Sequence, residues 1–332
     1  MKQLPFIEHY QTVWTQLQTW LDYLALPKRK RLAQTPPAGQ FSELYRQTCH
    51  HLALAQARHY SPHLLERLNH LVVAGHQQFY REREPIGARV WHFLALECPA
   101  QVRAQWKVLA LSAGLFYGSM LLFIFLTQWH PDLVYSVLDP MQVAEMEAMY
   151  DPQLNDRLGR EREADSDFYM FGHYIRNNTS IGFQTFTSGL IYGIVTLFIL
   201  LFNGIVLGSV AGHLTYIGYN DTFWGFVVGH SAFELTAIVL SGAAGFKLTQ
   251  ALLFPGRKTR LYALRTNGRS AIQLMYGAAL LFLMAAFVEA FWSSQAQMPL
   301  SIKYAVGALF WVLTVAWLGL AGRKHTVPQE TL

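Results

Sequence analysis

The sequence predicts an all-α protein in which a polytopic membrane helical bundle follows an N-terminal cytoplasmic helical domain. Of its 332 residues, 52% are hydrophobic and only 14% are charged, whereas soluble domains carry about 25% charged residues. Several apolar runs beyond residue 105 approach the ~20 residues that a helix needs to cross a bilayer. Basic residues dominate the first third of the chain and acidic residues dominate 130–182. This contrast reports membrane orientation and does not indicate nucleic-acid binding.

Residues 1–105 are expected to form the cytoplasmic domain. Leucines and aromatic residues recur there at helical spacing, which predicts three amphipathic helices, at 6–26, 41–60 and 62–80. Between the first two lies a basic run, 28–31, which is able to contact anionic lipid headgroups. Cys49 and Cys98 are too few for a disulfide framework and are expected to be ordinary thiols. Three histidines are expected to be packed or exposed and not metal ligands: His63, His70 and His76.

Residues 106–322 are expected to form the bundle, with six crossings favoured and five as the alternative. The predicted spans are 108–129, 184–202, 204–219, 225–253, 270–292 and 302–321. Six crossings place the N-terminal domain, the basic loop 257–269 and the tail 323–332 together in the cytoplasm. If 184–213 is instead one helix, five crossings remain and one basic loop lies outside.

The acidic segment 130–182 is expected to be a periplasmic loop. Its run MQVAEMEAMYDP indicates a short helix, and its run DRLGREREADSD is polar throughout and must face water. Residues 168–183 mix aromatic side chains with Arg176, Asn177 and Asn178, which predicts a helix at the membrane interface.

His230 and Glu234 are the strongest site candidates. Both lie near the start of the apolar run 225–253, one helical turn apart on one face. A carboxylate at mid-membrane costs ~2.5–3.5 kcal/mol on insertion scales, so it must be paired, protonated or turned to a wet cavity. The residues expected to share an intramembrane polar site with this pair are His213, Asn203, Asn177, Asn178 and Glu289.

Three interpretations of the pair remain open: a structural His–Glu contact, proton or ion handling, and a metal centre. The metalloprotease motif H-E-x-x-H is absent, and a third metal ligand from His213, Glu289 or an asparagine requires tertiary folding. The sequence contains no phosphate-binding loop, Rossmann fingerprint or nucleophile elbow. We therefore expect no cofactor and assign no catalytic residue.

Gly204, Gly208 and Gly212 recur at every fourth position. Small residues at this spacing let membrane helices approach closely. The pattern predicts a helix-packing surface, either within one chain or between subunits.

Three runs resemble the stage II sporulation protein M family: RNNTSIGFQTF at 176–186, LLFNGIVLG at 200–208 and GHSAFELTAIVLSGAAG at 229–245. Three other segments are similar to its branch in Gram-negative, non-sporulating bacteria: SPHLLERLNHLVVAGHQQFYR, LDPMQVAEMEAMYDP and FVEAFWSS. The positions that match the family pattern are Asn177, Asn178, Asn203, Gly204, His230 and Glu234. Sporulating and archaeal relatives tend to have Pro-His-Gly where this chain has Gly-His-Ser at 229–231, so the proline that breaks a helix is missing.

The resemblance implies an integral inner-membrane protein. In spore formers the family member acts as a scaffold for peptidoglycan-degrading partners during engulfment, a role that does not transfer directly to a non-sporulating cell. Relatives of this branch tend to be encoded near AAA+ ATPases and small membrane proteins, which implies envelope or AAA+ ATPase partners. We therefore expect a non-enzymatic, homo-oligomeric scaffold of an envelope complex. The alternatives are a channel or transporter with a polar path at His230 and Glu234, and an intramembrane metal-dependent enzyme.

Overall fold

The computed structural model describes residues 2–26, 35–79, 85–153, 166–295 and 298–324. Helices make up most of these ranges and no β-strand lies within them, which confirms the all-α prediction. Three segments discussed above lie wholly or largely outside the described residues: the basic run 28–31, the polar run 156–167 and the tail 323–332. The chain divides into two compact units between residues 85 and 86.

The described part of the first unit consists of three helices around an apolar core. These are α1 (Gln3–Ala25), α2 (Phe41–Ala57) and α3 (Pro62–Phe79). The core contains the leucines and aromatic residues whose spacing predicted the helices: Phe6, Trp14, Leu17, Leu21, Leu44, Leu52, Ala55, Leu64, Leu68 and Leu71. Gln3 links the starts of α1 and α3, because its amide donates to Ser61 Oγ at 2.8 Å and accepts from the Ser61 N–H at 2.9 Å.

A buried histidine lies in this core. The indole N–H of Trp14 donates to Nδ1 of His51 at 3.1 Å, so this nitrogen must be unprotonated. Burial, followed by the neighbouring His50 and His9, lowers the pKa of His51 to about 4. The folded unit therefore holds His51 neutral at physiological pH.

The second unit holds the apolar helices. Its main elements are α4 (Ile86–His92), a first π-helical turn (Phe93–Glu97), α5 (Cys98–Ala104), α6 (Trp106–Trp129), α7 (Val134–Val137), α8 (Pro140–Tyr150), α9 (Ser166–Thr187), α10 (Ile194–Tyr216), α11 (Asn220–Leu253), α12 (Arg260–Val288), a second π-helical turn (Glu289–Ser293) and α13 (Leu300–Leu320). Among the described residues, five of these helices are long and apolar enough to cross a membrane: α6, α10, α11, α12 with its π-helical turn, and α13. This confirms the predicted polytopic bundle.

The short helices α4 and α5 pack within the second unit, although the boundary expected from sequence lay at 105. Trp317 of α13 donates its indole N–H to the Leu94 carbonyl, and Arg103 donates to the Leu318 carbonyl, both at 2.8 Å. Cys98 is buried, and burial raises the pKa of its thiol to about 12. The bundle thus covers α5, whereas the apolar residues Ile86 and Trp91 of α4 remain exposed.

Helix α11 is the centre of the second unit. Helices α6, α9, α10, α12 and α13 all pack against it, and most of its residues are buried. Its glycines make this possible, because a methyl group at Gly242 would overlap the Ser112 side chain. A methyl group at Gly245 would lie 2.7 Å from the Thr185 carbonyl oxygen, closer than van der Waals contact allows.

Helix α10 corrects the predicted pattern of spans. The separation of 184–202 from 204–219 was wrong, since one helix runs through Asn203 and Gly204 without interruption. Asn203 does not break the helix because its side-chain amide donates to the Ile199 carbonyl of the same helix at 2.8 Å.

The glycine stripe of α10 (Gly204, Gly208 and Gly212) contacts α6 of the same chain. Its three members face, in order, Phe116, Met120 and Ile124. A methyl group at Gly208 would overlap the Met120 carbonyl, so the two backbones are in direct contact. Residue numbers rise together along both helices, and α6 and α10 therefore run parallel.

Two parallel helices require the chain to return between them, and α9 makes this return. Near its start, Phe168 and Phe171 lie 5.3 and 5.7 Å from the Phe291 ring. Just after its end, the Gly189 carbonyl accepts from Thr249 Oγ1 at 3.0 Å. Phe291 follows the end of α12 and Thr249 lies near the end of α11, so α9 runs the depth of the bundle. Its polar residues predicted a helix at the membrane interface. This prediction was wrong, because α9 packs against α11 and α12.

Candidate functional site: a buried polar cluster

His230 and Glu234 lie one turn apart in an unbroken part of α11. The His230 side chain is 6% exposed and the Glu234 side chain 22% exposed. Nε2 of His230 is 3.7 Å from Oε2 of Glu234. This distance is within the range of an ion pair but is too long for a hydrogen bond. The two side chains are therefore adjacent but are not joined by a hydrogen bond.

Glu289 reaches this pair from the end of α12. It begins the second π-helical turn and is buried. One potential ligand atom from each of His230, Glu234 and Glu289 lies within 4.8 Å of the other two. We call these three residues the polar cluster. π-Helical turns are rare and occur often at functional sites.

Glycines allow the surrounding helices to close on the polar cluster. A methyl group at Gly229 would overlap the Trp292 ring and lie 2.9 Å from Ser293 Oγ. On α13, a methyl group at Gly307 would lie 2.5 Å from the Val228 carbonyl oxygen. Gly229 on α11 and Gly307 on α13 therefore allow the π-helical turn and α13 to pack against α11 next to His230.

Tyr150 places α8 beside the polar cluster. Its side chain is buried, and burial raises the pKa of its phenol far above the ordinary value. The charges of Glu289, Tyr174 and Glu234 raise that pKa further, in decreasing order. Residues of α8, α9, α11 and the π-helical turn thus share one electrostatic environment.

Sequence reasoning missed two buried polar residues at this end of the bundle. Ser293 Oγ is 3.1 Å from Nδ1 of His230, and the Ser293 carbonyl accepts from Nζ of Lys303 at 3.1 Å. Lys303 is only 1% exposed. The sequence could have indicated Lys303, because a lysine inside the apolar run LSIKYAVGALF requires a polar partner. Ser293 carried no such signal, since serine is common in turns.

His213 is not a member of the polar cluster. Its Nε2 lies 2.7 Å from Oε1 of Glu147 on α8, so it forms a second His–Glu pair at the end of α10. The expectation that it shares a site with His230 and Glu234 is corrected by this contact. Sequence spacing could not identify Glu147, because the partner lies in a distant loop helix.

The three asparagines make hydrogen bonds within their own helices. Asn177 donates to Asn178 Oδ1 at 3.1 Å, and Asn203 donates to a carbonyl of α10. Asn178 is buried where α9 packs in the bundle. Elsewhere in the described residues, no other three histidine, cysteine, aspartate or glutamate side chains converge as the polar cluster does.

Comparison with known proteins accounts for both units. A family model described as Stage II sporulation protein M matches residues 109–294, from α6 to just after the second π-helical turn. A model described as Domain of unknown function (DUF8413) matches residues 5–81 in the first unit. No curated protein and no solved structure matches the chain.

Proposed function

Because the chain belongs to the stage II sporulation protein M family, we propose that it is a non-enzymatic scaffold of a cell-envelope complex in the inner membrane. The observation that carries this proposal is the presence of two distinct modules in one chain. The family bundle is joined to a helical unit with its own core, which matches a separate family model. A bundle with an added helical domain suits a protein that anchors soluble partners at a membrane.

The proposal includes an orientation with the first unit in the cytoplasm. It is supported by the parallel run of α6 and α10, which makes α9 a sixth crossing beside the five apolar helices. Six crossings return the chain to its starting side. The basic loop 257–269 and the start of the tail at 323–324 then lie on the same side as the first unit, as the positive-inside rule prefers.

Single cysteines test this orientation. In a chain with Cys49→Ala and Cys98→Ala, Leu190→Cys lies between α9 and α10, and Asn220→Cys lies at an exposed position at the start of α11. A membrane-impermeant thiol reagent added to sealed inside-out vesicles should label the first position, and reagent added to spheroplasts should label the second. Labelling of both positions from one side would contradict a crossing by α10, and the reverse labelling pattern would contradict a crossing by α9.

The first unit offers a surface for a cytoplasmic partner. A cavity of about 280 Å³ opens there, lined by Trp14, Thr15, Gln18, Arg67, His70 and Leu71. The guanidinium of Arg67 lies 5.8 Å from the centre of the Trp14 ring, which combines a positive charge with an aromatic face. An AAA+ ATPase or another envelope protein is the kind of partner that we expect there.

Crosslinking and capture in mild detergent test the scaffold. The full chain should retain specific partner proteins, and Arg67→Glu should reduce their recovery severalfold because it reverses the charge beside the cavity. Arg58→Glu, at an exposed position after α2, is the matched control and should leave recovery unchanged. Recovery of no reproducible partner by the full chain would contradict the scaffold.

A second candidate function is ion movement through the bundle. It is favoured by the convergence of the three side chains of the polar cluster, because ionisable residues within membranes commonly mark ion or proton paths. Purified protein in liposomes should then show an ion flux that Glu234→Gln abolishes. Equal flux in empty liposomes, wild type and variant would remove this candidate.

A further inference from the structure

The polar cluster has the composition of a metal site. One imidazole and one carboxylate come from α11, and the second carboxylate comes from the π-helical turn that follows α12. Imidazole and carboxylate are both ligands of divalent transition metals. His230 and Glu289 are buried, and the Glu234 side chain is 22% exposed.

Charge favours a cation at this point. Two carboxylates within 4.8 Å of each other repel strongly when both are ionised away from water. A neutral imidazole cannot balance them. A divalent ion balances two carboxylates completely, whereas one ammonium, such as that of Lys303, balances only one.

The distances fit shared coordination better than mutual hydrogen bonding. Two ligand atoms placed tetrahedrally at 2.0–2.2 Å from Zn²⁺ are about 3.3–3.6 Å apart. The separation of 3.7 Å between Nε2 of His230 and Oε2 of Glu234 is close to this value and beyond hydrogen-bond range.

Ser293 gives the imidazole the orientation that a metal ligand needs. Its hydroxyl is 3.1 Å from Nδ1 of His230 and can accept the Nδ1 proton. The Nε2 lone pair then faces Glu234. Metal-bound histidines almost always donate the N–H of their other ring nitrogen to an outer oxygen acceptor, usually a carboxylate, a backbone carbonyl or water, and the Ser293 hydroxyl oxygen is in this position here. Ser293 is therefore a positioning residue.

We infer that His230, Glu234 and Glu289 bind one divalent transition metal ion, with Zn²⁺ as the ion that this ligand set suits best. Three protein ligands leave a fourth tetrahedral position for water or another oxygen donor. The ion ties α11 to the end of α12. This inference does not depend on the scaffold function, and its test uses no partner protein.

Metal analysis of the full chain is the first test. The protein, purified in detergent with every affinity tag removed, is stripped with chelator, incubated with ZnCl₂ and passed through a desalting column. We expect one zinc per chain. Zinc K-edge absorption should show a first shell of nitrogen and oxygen at about 2.0–2.2 Å, with the signature of a single imidazole and no sulfur.

Matched variants locate the ion. Glu234→Gln and Glu289→Gln should each abolish stoichiometric zinc. Ser293→Ala should weaken Zn²⁺ binding about tenfold to a hundredfold, as loss of an outer hydrogen-bond partner commonly does. His213→Gln and Glu147→Gln change the His213–Glu147 pair, which supplies only two ligands, and should retain wild-type zinc.

The inference is overturned if wild-type protein binds no stoichiometric zinc after loading, or if the first shell contains sulfur from a cysteine. It is equally overturned if folded Glu234→Gln and Glu289→Gln proteins bind zinc as the wild type does. Size-exclusion profiles identify variants that fail to fold, and for those the absorption spectrum of wild-type protein decides.

Discussion

The two units of this chain both bury apolar side chains, but they differ in what their outer surfaces carry. In the first unit, leucines and aromatic residues fill the core and polar residues face out. In the second, large apolar side chains such as Phe125 and Val312 are exposed at 63% and 64%, where lipid covers them. Buried apolar side chains, such as Phe116, Leu200 and Phe282, also fill the core of this unit, and glycine, serine, threonine, histidine, glutamate and lysine are buried among them. Hydrophobicity therefore marks the interior of the first unit, whereas in the bundle both the interior and the outer surface are apolar and the buried small and polar residues mark the helix contacts.

The largest expected effect comes from removing apolar volume in the first unit. Leu68→Ala deletes a fully buried side chain of α3 and should destabilise the unit by about 2–5 kcal/mol. Hydrogen exchange of α1, α2 and α3 in the full chain measures this loss. Val73→Ala, at a position 48% exposed on the same helix, is the control. If Leu68→Ala and Val73→Ala reduced the stability of the first unit equally, burial of apolar side chains would not be what stabilises it.

The second unit should be sensitive to added volume at its glycine contacts. Gly208→Ala places a methyl group on the Met120 carbonyl and should cost about 1–3 kcal/mol through overpacking. Thermal unfolding in detergent measures the effect. Gly114→Ala, where a methyl group meets no atom within 4 Å, should be neutral or stabilising because alanine favours the helix. A Gly208→Ala protein as stable as the Gly114→Ala protein would show that α6 and α10 are not in contact.

Acid should weaken the first unit. Its core holds His51 at a pKa of about 4, below the ordinary value of 6.5, so between these values the unfolded chain binds the proton more readily. Stability present above pH 6.5 is therefore lost as the pH falls towards 4. Hydrogen exchange corrected for intrinsic rates should show α1 and α2 opening in this window.

The variant His51→Gln sharpens this prediction. Glutamine can still accept the hydrogen bond from Trp14, but it does not titrate. Its first unit should lose less stability between pH 6.5 and 4 than the wild type does. A variant with the full acid sensitivity would show that His51 is not the responsible group.

The smallest effect is expected on the lipid-facing surface of the bundle. Val312→Ala removes apolar volume, as Leu68→Ala does. The Val312 side chain, however, faces lipid and makes few contacts within the protein, so its loss removes little packing. Its thermal stability in detergent should stay within about 0.5 kcal/mol of the wild type. A loss comparable to that of Leu68→Ala would place Val312 in an unrecognised interface, such as one between subunits.

The sequence predicted the elements that follow from periodicity and hydropathy. The three helices of the first unit and the apolar spans beginning near 106, 225 and 302 were predicted in this way. It misplaced the boundaries within 166–216, because polarity there reports helix contacts and not water. A polar helix, α9, was assigned to the surface although it packs in the bundle, and Asn203 was taken as a break although it bonds to its own helix.

Only part of the candidate site could be predicted, for the same physical reason. The spacing of His230 and Glu234 placed them on one face of a helix. Glu289 was expected in the same site, but its approach, like that of Ser293, depends on a π-helical turn and on Gly229, which lets that turn pack against α11. Such tertiary contacts leave no periodic pattern. The same holds for the pairing of His213 with Glu147.

The central claim is that α11 and the second π-helical turn bring Glu234 and Glu289 into one site. A double-mutant cycle of Glu234→Gln and Glu289→Gln, measured as free energies of unfolding in metal-free detergent, tests it most directly. We predict a coupling energy of about 0.5–3 kcal/mol, the range for residues in contact. Asp221→Asn combined with Glu234→Gln is the control, since about 20 Å of helix separates those positions. If the effects of Glu234→Gln and Glu289→Gln are additive, so that their coupling energy is no larger than that of the control pair, the account is contradicted.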